Sequence, residues 1–365
     1  MRVLIVKMTS MGDVLHVLPA LSDLANDANS PIDPATLKVD WMVEDGFAQI
    51  PSWHPLIGTV IPVSTRRWRG VRWQFVKEFF AFLKVLRAQR YDYVIDAQGL
   101  IKSAVLCRFA RLTPKGVRAG FSGASIKESP AAWFYGQTVE VDRNQHAVDR
   151  LRCLVAEVIK YPLESKRGEY KLQLPGSGAQ SQSDAPEAAV TEPNKSVFVF
   201  HGTTWPTKHV PDLLWRDVIK TVISNGYSVN LCWGNEVERE RANFLAQGFS
   251  AATVLPKSSL LELANELKQA SGAIAVDTGL GHLAAAMDIP CVSLYGATDP
   301  LLTGTYGKYQ THLQVEYPCA PCLLKQCTQL EKGEIDPPCY ATFNAQMIWH
   351  ALSQQIRSRQ SAIGV

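Results

Sequence analysis

Residues 271–300 read S-G-A-I-A-V-D-T-G-L-G-H-L-A-A-A-M-D-I-P-C-V-S-L-Y-G-A-T-D-P, and no other stretch narrows the choice of fold as much. The apolar run 273–276, bounded by Gly272 and Asp277, is the pattern of a buried strand. Asp277 and Thr278 are helix-capping residue types at that strand's carboxyl end. Leu280, Leu283 and Met287 then recur at helical spacing, and 291–294 is a second apolar run. Strand, glycine-bearing turn, helix, strand is a βαβ unit, which requires parallel pairing and a helix laid on a face of the sheet. Gly279 and Gly281 carry no side chain, so an anion can lie against the amides of the first helical turn. The turn predicts a nucleotide-diphosphate site, although glycine also occurs at βα turns that bind nothing. His282 inside the first turn and the loop 295–300 after the next strand favour the ligand reading, because such loops line the crevice of an open α/β sheet.

The same rhythm runs along the rest of the chain. Residues 2–6 predict a first strand, and 7–13 a loop that opens a single helix with Val14, Leu15, Leu18, Leu21 and Leu24 on its apolar face. Asp13 falls at the helix entrance, where the dipole favours a carboxylate; it is either a plain N-cap or an acid held there for chemistry. Strands over 39–43, 59–63, 93–96 and 117–121 are interleaved with helices over 75–88 and 100–109. His146 opens an amphipathic helix carrying Val148, Leu151, Val155 and Val158. Residues 174–195 are polar and lack a sustained apolar period, which marks a linker. The alternation then restarts, with a strand over 197–200, a helix over 213–223 and a strand over 228–233. The fold class expected is α/β, with two Rossmann-like domains facing one another, over 1–170 and 197–345. A linker over 171–196 joins them, and a C-terminal helix and tail over 346–365 close the chain.

At 365 residues the chain suits two domains that each bury a core. No apolar run approaches the ~20 residues that span a bilayer. The start, Met1-Arg2 followed by V-L-I-V and Lys7, is too short for a signal-peptide core, so a cytoplasmic protein is expected, its cysteines thiols or ligands rather than structural disulfides. Charge is uneven. Residues 61–130 hold 14 Lys and Arg against four Asp and Glu, in a chain whose net charge is only +3. That excess points to an acidic partner: nucleic acid, an anionic membrane face or a phosphorylated substrate. Within it, R-R-W-R-G-V-R-W over 66–73 interleaves arginine with tryptophan, suited to gripping phosphates and seating indoles among lipid headgroups. The bland alternative is a solvated basic loop with its tryptophans packed inward. No recognised nucleic-acid motif accompanies the basic region, which argues against nucleic acid.

In the second half, H-G-T-T-W-P-T-K-H over 201–209 offers the hydroxyls of Thr203 and Thr204 and the mobile cation of Lys208. Glu236, Glu238 and Glu240 open the next helix, either as dipole-compensating charges or with one of them on a ribose. Cys319, Cys322, Cys327 and Cys339 contain one C-x-x-C with no second to pair it, so metal, disulfide and free thiol all remain open. The first strand is not followed by G-x-G-x-x-G, which argues against an NAD-dependent dehydrogenase.

These pieces together resemble the lipopolysaccharide heptosyltransferases, inverting glycosyltransferases of family 9 with the two-Rossmann GT-B architecture. The opening M-R-V-L-I-V-K-M-T-S-M-G-D-V-L-H-V-L-P-A-L looks like that of the heptosyltransferase I branch. So do F-A-Q-I-P-S-W-H at 47–54, I-P-V-S-T-R-R-W-R at 61–69, D-A-Q-G-L-I-K-S-A at 96–104, Q-H-A-V-D-R at 145–150 and D-T-G-L-G-H-L-A-A-A at 277–286. The linker is longer than in that pattern, and the cysteine-bearing tail looks more like that of the heptosyltransferase II branch.

The resemblance implies an enzyme that moves heptose from ADP-heptose to a phosphorylated Kdo-lipid A acceptor, as a peripheral protein at the cytoplasmic face of the inner membrane. It implies Asp13 as general base and Lys208 as counter-charge for the donor's phosphates. Thr203, Thr204, Asp277, Thr278, Gly279, Leu280, Gly281 and His282 would surround ADP and its sugar, with Glu238 on the ribose. Arg66, Arg67 and Arg69 would hold acceptor phosphates, with Ser10, Gly12 and His146 beside them. No D-x-D motif stands out, so transfer without a metal or other cofactor is expected. Two other readings stay open: a same-family transferase with another sugar nucleotide or acceptor, and a non-catalytic module that binds nucleotide or anionic lipid.

Overall fold

A computed structural model describes residues 1–26, 36–69, 72–163, 167–175, 194–330 and 336–364. The core of the expected linker, 176–193, lies outside them, as do the side chains of Arg69 and Trp73. Contacts divide the chain into two compact units, Met1–Pro175 and Gly176–Val365.

The first unit runs β1 (Arg2–Val6), α1 (Met11–Leu15), α2 (Leu18–Asn26), β2 (Lys38–Glu44), β3 (Ile57–Val63), α3 (Arg72–Leu86), β4 (Arg90–Asp96), α4 (Ile101–Phe109), β5 (Arg111–Phe121), β6 (Gln137–Val139) and α5 (Ala147–Ile159). Its six strands are all parallel and stand in the order β3-β2-β1-β4-β5-β6. Val3–Val6 are wholly buried because helices cover both faces of the central strands, which is why the run is apolar without alternation. Helices α3 and α4 seal one face through Phe82, Leu86, Leu106 and Cys107, while α2 and α5 pack together on the unit's other apolar cluster.

Three expectations need correction here. The single N-terminal helix is two, α1 and α2, broken where Pro19 has no N–H to continue the ladder. The fifth strand begins at Arg111 rather than 117. The insert 114–116 shifts its register, so that Tyr91 faces Leu112 while Tyr93 faces Val117, and Gly116 sits where a Cβ would come within 2.5 Å of Tyr91 O. The short edge strand β6 was not expected at all.

The second unit runs β7 (Ser196–Phe200), α6 (Asp212–Ser224), β8 (Ser228–Leu231), α7 (Glu236–Ala246), β9 (Ala252–Val254), α8 (Leu260–Lys268), β10 (Gly272–Val276), α9 (Gly279–Ala286), β11 (Cys291–Tyr295), α10 (Pro300–Thr303), β12 (Gln310–Gln314) and α11 (Ala345–Ile363). The parallel sheet reads β12-β11-β10-β7-β8-β9. Counted from β7, this is the same 3-2-1-4-5-6 order as the first unit, the order of a dinucleotide-binding sheet. Helix α11 lies across β10 to β12, and Gly272 makes room for it: a Cβ there would stand 2.9 Å from Leu352 Cδ1. Sequence periodicity missed β9, α8 and β12, although α8 opens on a readable S-x-x-E box in which Ser259 N donates to Glu262 and Glu262 N to Ser259 Oγ. Among the described residues no helix is long and apolar enough to cross a membrane.

Candidate active site

In sheets of this order, ligands bind at the carboxyl ends of the two strands where the connection reverses. In the first unit these are β1 and β4, and their loops are tied to each other. Lys7 Nζ donates to Ala97 O at 3.1 Å, and Gln98 Oε1 accepts Met8 N at 2.9 Å and Thr9 N at 3.1 Å. Behind Gln98, the fully buried Asp96 accepts Gln98 N, Gly99 N and the Tyr135 hydroxyl, the last at 2.7 Å. Burial pushes the Asp96 carboxyl up despite those donors. Gly99 has φ +68°, and a Cβ there would fall 2.8 Å from Ile126 Cγ2, so both conformation and space require glycine.

This scaffold presents Asp13. It is the third residue of α1 and not its N-cap, the place taken by Ser10. The carboxylate oxygen Oδ2 accepts Ser10 N at 2.8 Å and Ser10 Oγ at 2.9 Å, whereas Oδ1 stands 3.4 Å from Lys7 Nζ. The side chain is 43% exposed. Its surroundings would raise the pKa by desolvation, but Lys7, His16 and the two Ser10 donors outweigh that and hold it at about 2. One oxygen therefore closes the helical turn while the other stays ionised beside a cation. Gly12 is buried inside α1, and His146 caps α5 by accepting Val148 N at 3.2 Å on Nδ1. The His146 ring meets His16 edge-on at 5.7 Å.

The arginines divide. Glu44, 3% exposed at the end of β2, accepts Thr65 Oγ1 at 2.9 Å and Arg66 N at 3.0 Å, and the Arg66 side chain is exposed. Arg67 is engaged by carboxylates, 3.0 Å from Glu78 and 3.5 Å from Asp45. Trp68 corrects the headgroup expectation for its loop: its indole donates to Glu78 and packs edge-on against Phe79 and Phe82. The side chain of Arg69 is outside the described residues.

The second unit places its reversal between β7 and β10. Lys208 Nζ is 2.6 Å from Asp277 Oδ2 and lies over the Trp205 ring at 4.6 Å. Asp277 also accepts Thr298 Oγ1 at 2.5 Å, and its main-chain oxygen accepts Thr203 Oγ1 at 3.3 Å. With its carboxylate so committed, Asp277 does not cap α9. Thr278 occupies the N-cap in extended conformation without a side-chain bond; the Gly281 amide donates to Thr278 O at 3.1 Å, and the amides of Gly279 and Leu280 are left for another acceptor. Gly279 and Leu280 are half-buried at that end, and Thr204 is exposed.

Gly281 has a packing role besides the expected one. A Cβ there would meet Ala275 Cβ at 3.1 Å and Thr305 Cγ2 at 3.4 Å, so this glycine also lets the helix approach the sheet. His282 points inward too and is 5% exposed.

Glu238 lies over the turn after β7. Its Oε2 accepts Gly234 N at 2.7 Å, and a Cβ on Gly202 would sit 2.9 Å from Glu238 Cδ. Sequence reading missed Arg241, one turn further along α7. Its guanidinium reaches Asp212 Oδ1 and His209 Nδ1 at 2.6 Å, Val210 O at 2.6 Å and His201 O at 3.0 Å, pinning the loop that carries Thr203 and Lys208. Partners about 30 to 40 residues away leave no local signal. Asp96, by contrast, stands at a strand's carboxyl end and could have been singled out.

The tail braces the same loop: Thr207 Oγ1 donates to Leu324 O at 2.6 Å, and Leu323 N to Ala297 O at 2.8 Å. All four tail cysteines are free thiols. Burial, then Cys319, Cys327 and Cys322 nearby, push the Cys339 thiol up to about 11. Among the described residues no group of His, Cys, Asp and Glu is arranged to hold a metal ion.

Comparison with known proteins places this geometry. The family model for glycosyltransferase family 9 (heptosyltransferase) matches residues 79–332. The chain is 44% identical over 360 residues to lipopolysaccharide heptosyltransferase 1 of Pseudomonas aeruginosa, covering 95% of this chain and 96% of that protein. It is 44% identical over 318 residues to the protein of the same name from Escherichia coli K12, covering 85% and 92%. Among solved structures it is similar to E. coli heptosyltransferase WaaC with ADP, at a TM-score of 0.80 and 38% identity over 97% of this chain and 100% of that one. WaaC with ADP-2-deoxy-2-fluoro heptose gives 0.76 at 38% identity, over 98% and 100%.

Proposed function

The chain belongs to glycosyltransferase family 9, the heptosyltransferases, and on that premise we propose that this enzyme transfers heptose from ADP-heptose to the Kdo-lipid A inner core with inversion at the anomeric carbon. The names of its relatives and the heptose-nucleotide analogue in the similar structure support the donor and acceptor classes. The single observation that carries the assignment of roles is Asp13: an ionised carboxylate, partly exposed, fastened at the reversal point of the first sheet.

An acceptor hydroxyl oxygen attacks the anomeric carbon from the face opposite the diphosphate, and the bond between that carbon and the β-phosphate oxygen breaks with its electron pair leaving on ADP. The hydroxyl proton passes to Asp13. A weak base suffices, because the proton becomes strongly acidic as the new bond forms at an oxocarbenium-like carbon. On the donor side, Lys208 and the open amides of α9 meet the charge gathering on the leaving diphosphate. Arg66 supplies a free cation for acceptor phosphates, held by its backbone to Glu44. Lys208, held by Asp277 Oδ2, brings to the diphosphate the positive charge a metal would otherwise supply, so transfer is proposed to run without metal, with turnover that persists in EDTA. The enzyme works as a peripheral protein at the cytoplasmic face of the membrane that holds its acceptor, and the basic excess of residues 61–130 supports that placement.

The test is incubation with ADP-heptose and Kdo-lipid A, read by mass. The wild type should add one heptose, and Asp13→Asn should lose about 10²- to 10⁴-fold in turnover while binding ADP unchanged. Substantial transfer by Asp13→Asn would remove the general-base role.

A further inference from the structure

Helices α3 and α4 lie side by side on the first sheet, and their outward faces are unusually apolar. On α4, Ile101, Val105 and Phe109 follow one another at four-residue spacing and are 42%, 37% and 36% exposed. On α3, Val76 and Phe80 share one face at 42% and 65% exposure. The two rows join, because the Phe79 ring touches Phe109 edge-on at 5.6 Å and neighbours Phe80 at 6.4 Å. Beyond α4, the short helical segment Ser129–Phe134 packs against it and holds out Trp133, 84% exposed. Scattered surface apolars need no explanation, but a connected row of six ending in a bare indole does.

Its rim is basic. Lys77, Lys84, Lys102 and Arg108 come from the same two helices, and Arg87 follows the end of α3 directly. The acidic groups beside it are spoken for: Glu78 accepts from Arg67 and Trp68, and Glu128 accepts Ile101 N at 2.8 Å.

We infer that the α3–α4 face with Trp133 is the surface by which the protein seats on an anionic lipid bilayer, its apolar side chains entering the headgroup boundary and its lysines and arginines resting on lipid phosphates. The inference rests on the reading that the acceptor is a membrane lipid, and it moves the contact from the arginine–tryptophan loop, whose Trp68 faces inward, to the helices behind it. Charge selects this occupant over a second copy of the chain: self-pairing would press two basic rims together, whereas an anionic leaflet neutralises them. An exposed tryptophan beside aliphatic residues and flexible basic stems is the composition that lies in a membrane interface.

The experiment is co-sedimentation of full-length protein with acceptor-free vesicles of phosphatidylethanolamine and phosphatidylglycerol, and with phosphatidylcholine alone. The wild type should partition onto the anionic vesicles, weakly onto the neutral ones, and release in high salt. The triple variant Phe80→Ser, Val105→Ser, Trp133→Ala should lose at least tenfold in partition. It should keep the wild-type melting temperature, ADP affinity and transfer to detergent-dispersed acceptor. Equal sedimentation of triple variant and wild type would overturn the inference, as would a wild type that ignores anionic vesicles. Light scattering that shows a wild-type dimer broken by the triple variant would overturn it in favour of self-association. Because the vesicles carry no acceptor, wild type that binds them but transfers nothing would support the surface while overturning the acceptor assignment.

Discussion

The two units share a sheet order and differ in what they hang on it. At the β1/β4 reversal the loops present an anion: Asp13, with Lys7 and Ser10 beside it. At the β7/β10 reversal they present a cation, Lys208, and a helix start whose N-cap residue, Thr278, makes no side-chain cap bond. On the function proposed above, the same topology gives a proton acceptor in one place and a diphosphate cradle in the other. Fold alone assigns neither role; the chemistry of four or five loop residues does. Support is built differently as well. The first crevice is held by a buried carboxylate and an amide side chain, Asp96 and Gln98, acting on backbone groups. The second is held by one arginine reaching four partners.

That contrast can be broken at several points. After Asp13→Asn, the largest expected effect is at Lys208. Lys208→Ala removes the charge that meets the leaving diphosphate and leaves the Asp277 carboxylate facing it, so kcat/KM should fall about 10²- to 10³-fold. Steady-state kinetics with donor varied checks this, and a loss under fivefold would end the cradle assignment. Next is Arg241→Met, which strands His201 O, Val210 O and Asp212 together. Stability should drop by about 2–4 kcal/mol in a denaturant melt, and the donor KM should rise while the acceptor KM holds.

Lys7→Met sharpens the other side. Lys7 is one of the groups holding Asp13 at about 2, so its removal lets the carboxyl rise toward or above the ordinary range. The wild type, ionised throughout any workable assay range, should show no acid limb from this group. The variant should show one, losing activity as pH falls and Asp13 takes up a proton. A pH–rate profile measured for both enzymes decides, and superimposable profiles would clear Lys7 of the role. The smallest effect is at Glu44. Glu44→Gln should loosen Thr65 and Arg66 and raise the acceptor KM about two- to fivefold, with donor kinetics unchanged.

Much of this was legible before any coordinates. Apolar runs such as V-L-I-V and A-I-A-V, interleaved with helical periods, are read directly because burial on both faces leaves a continuous pattern. Asp13, Lys208 and Asp277 stood out as polar residues in the segments that follow strands, and the resemblance to the heptosyltransferases gave them roles. The errors have physical causes too. Gly279 and Gly281 look alike in sequence, yet only the second also lets α9 press on β10, which spacing alone does not show. In R-R-W-R, the register of one turn sends Trp68 into the Phe79 and Phe82 cluster. The weak edge strands β6, β9 and β12 carry too few buried side chains to leave a period.

By itself the sequence determined what depends on local spacing: parallel α/β construction, the loops that carry chemistry, and the charge excess of residues 61–130. Only the tertiary structure decided which of those groups meet. Gln98 with the first loop, Arg241 with His201 and Val210, and the joining of α3 and α4 into one apolar face are contacts between segments far apart in the chain. Their energies come from geometry of a few ångströms, which no spacing rule along a single chain records.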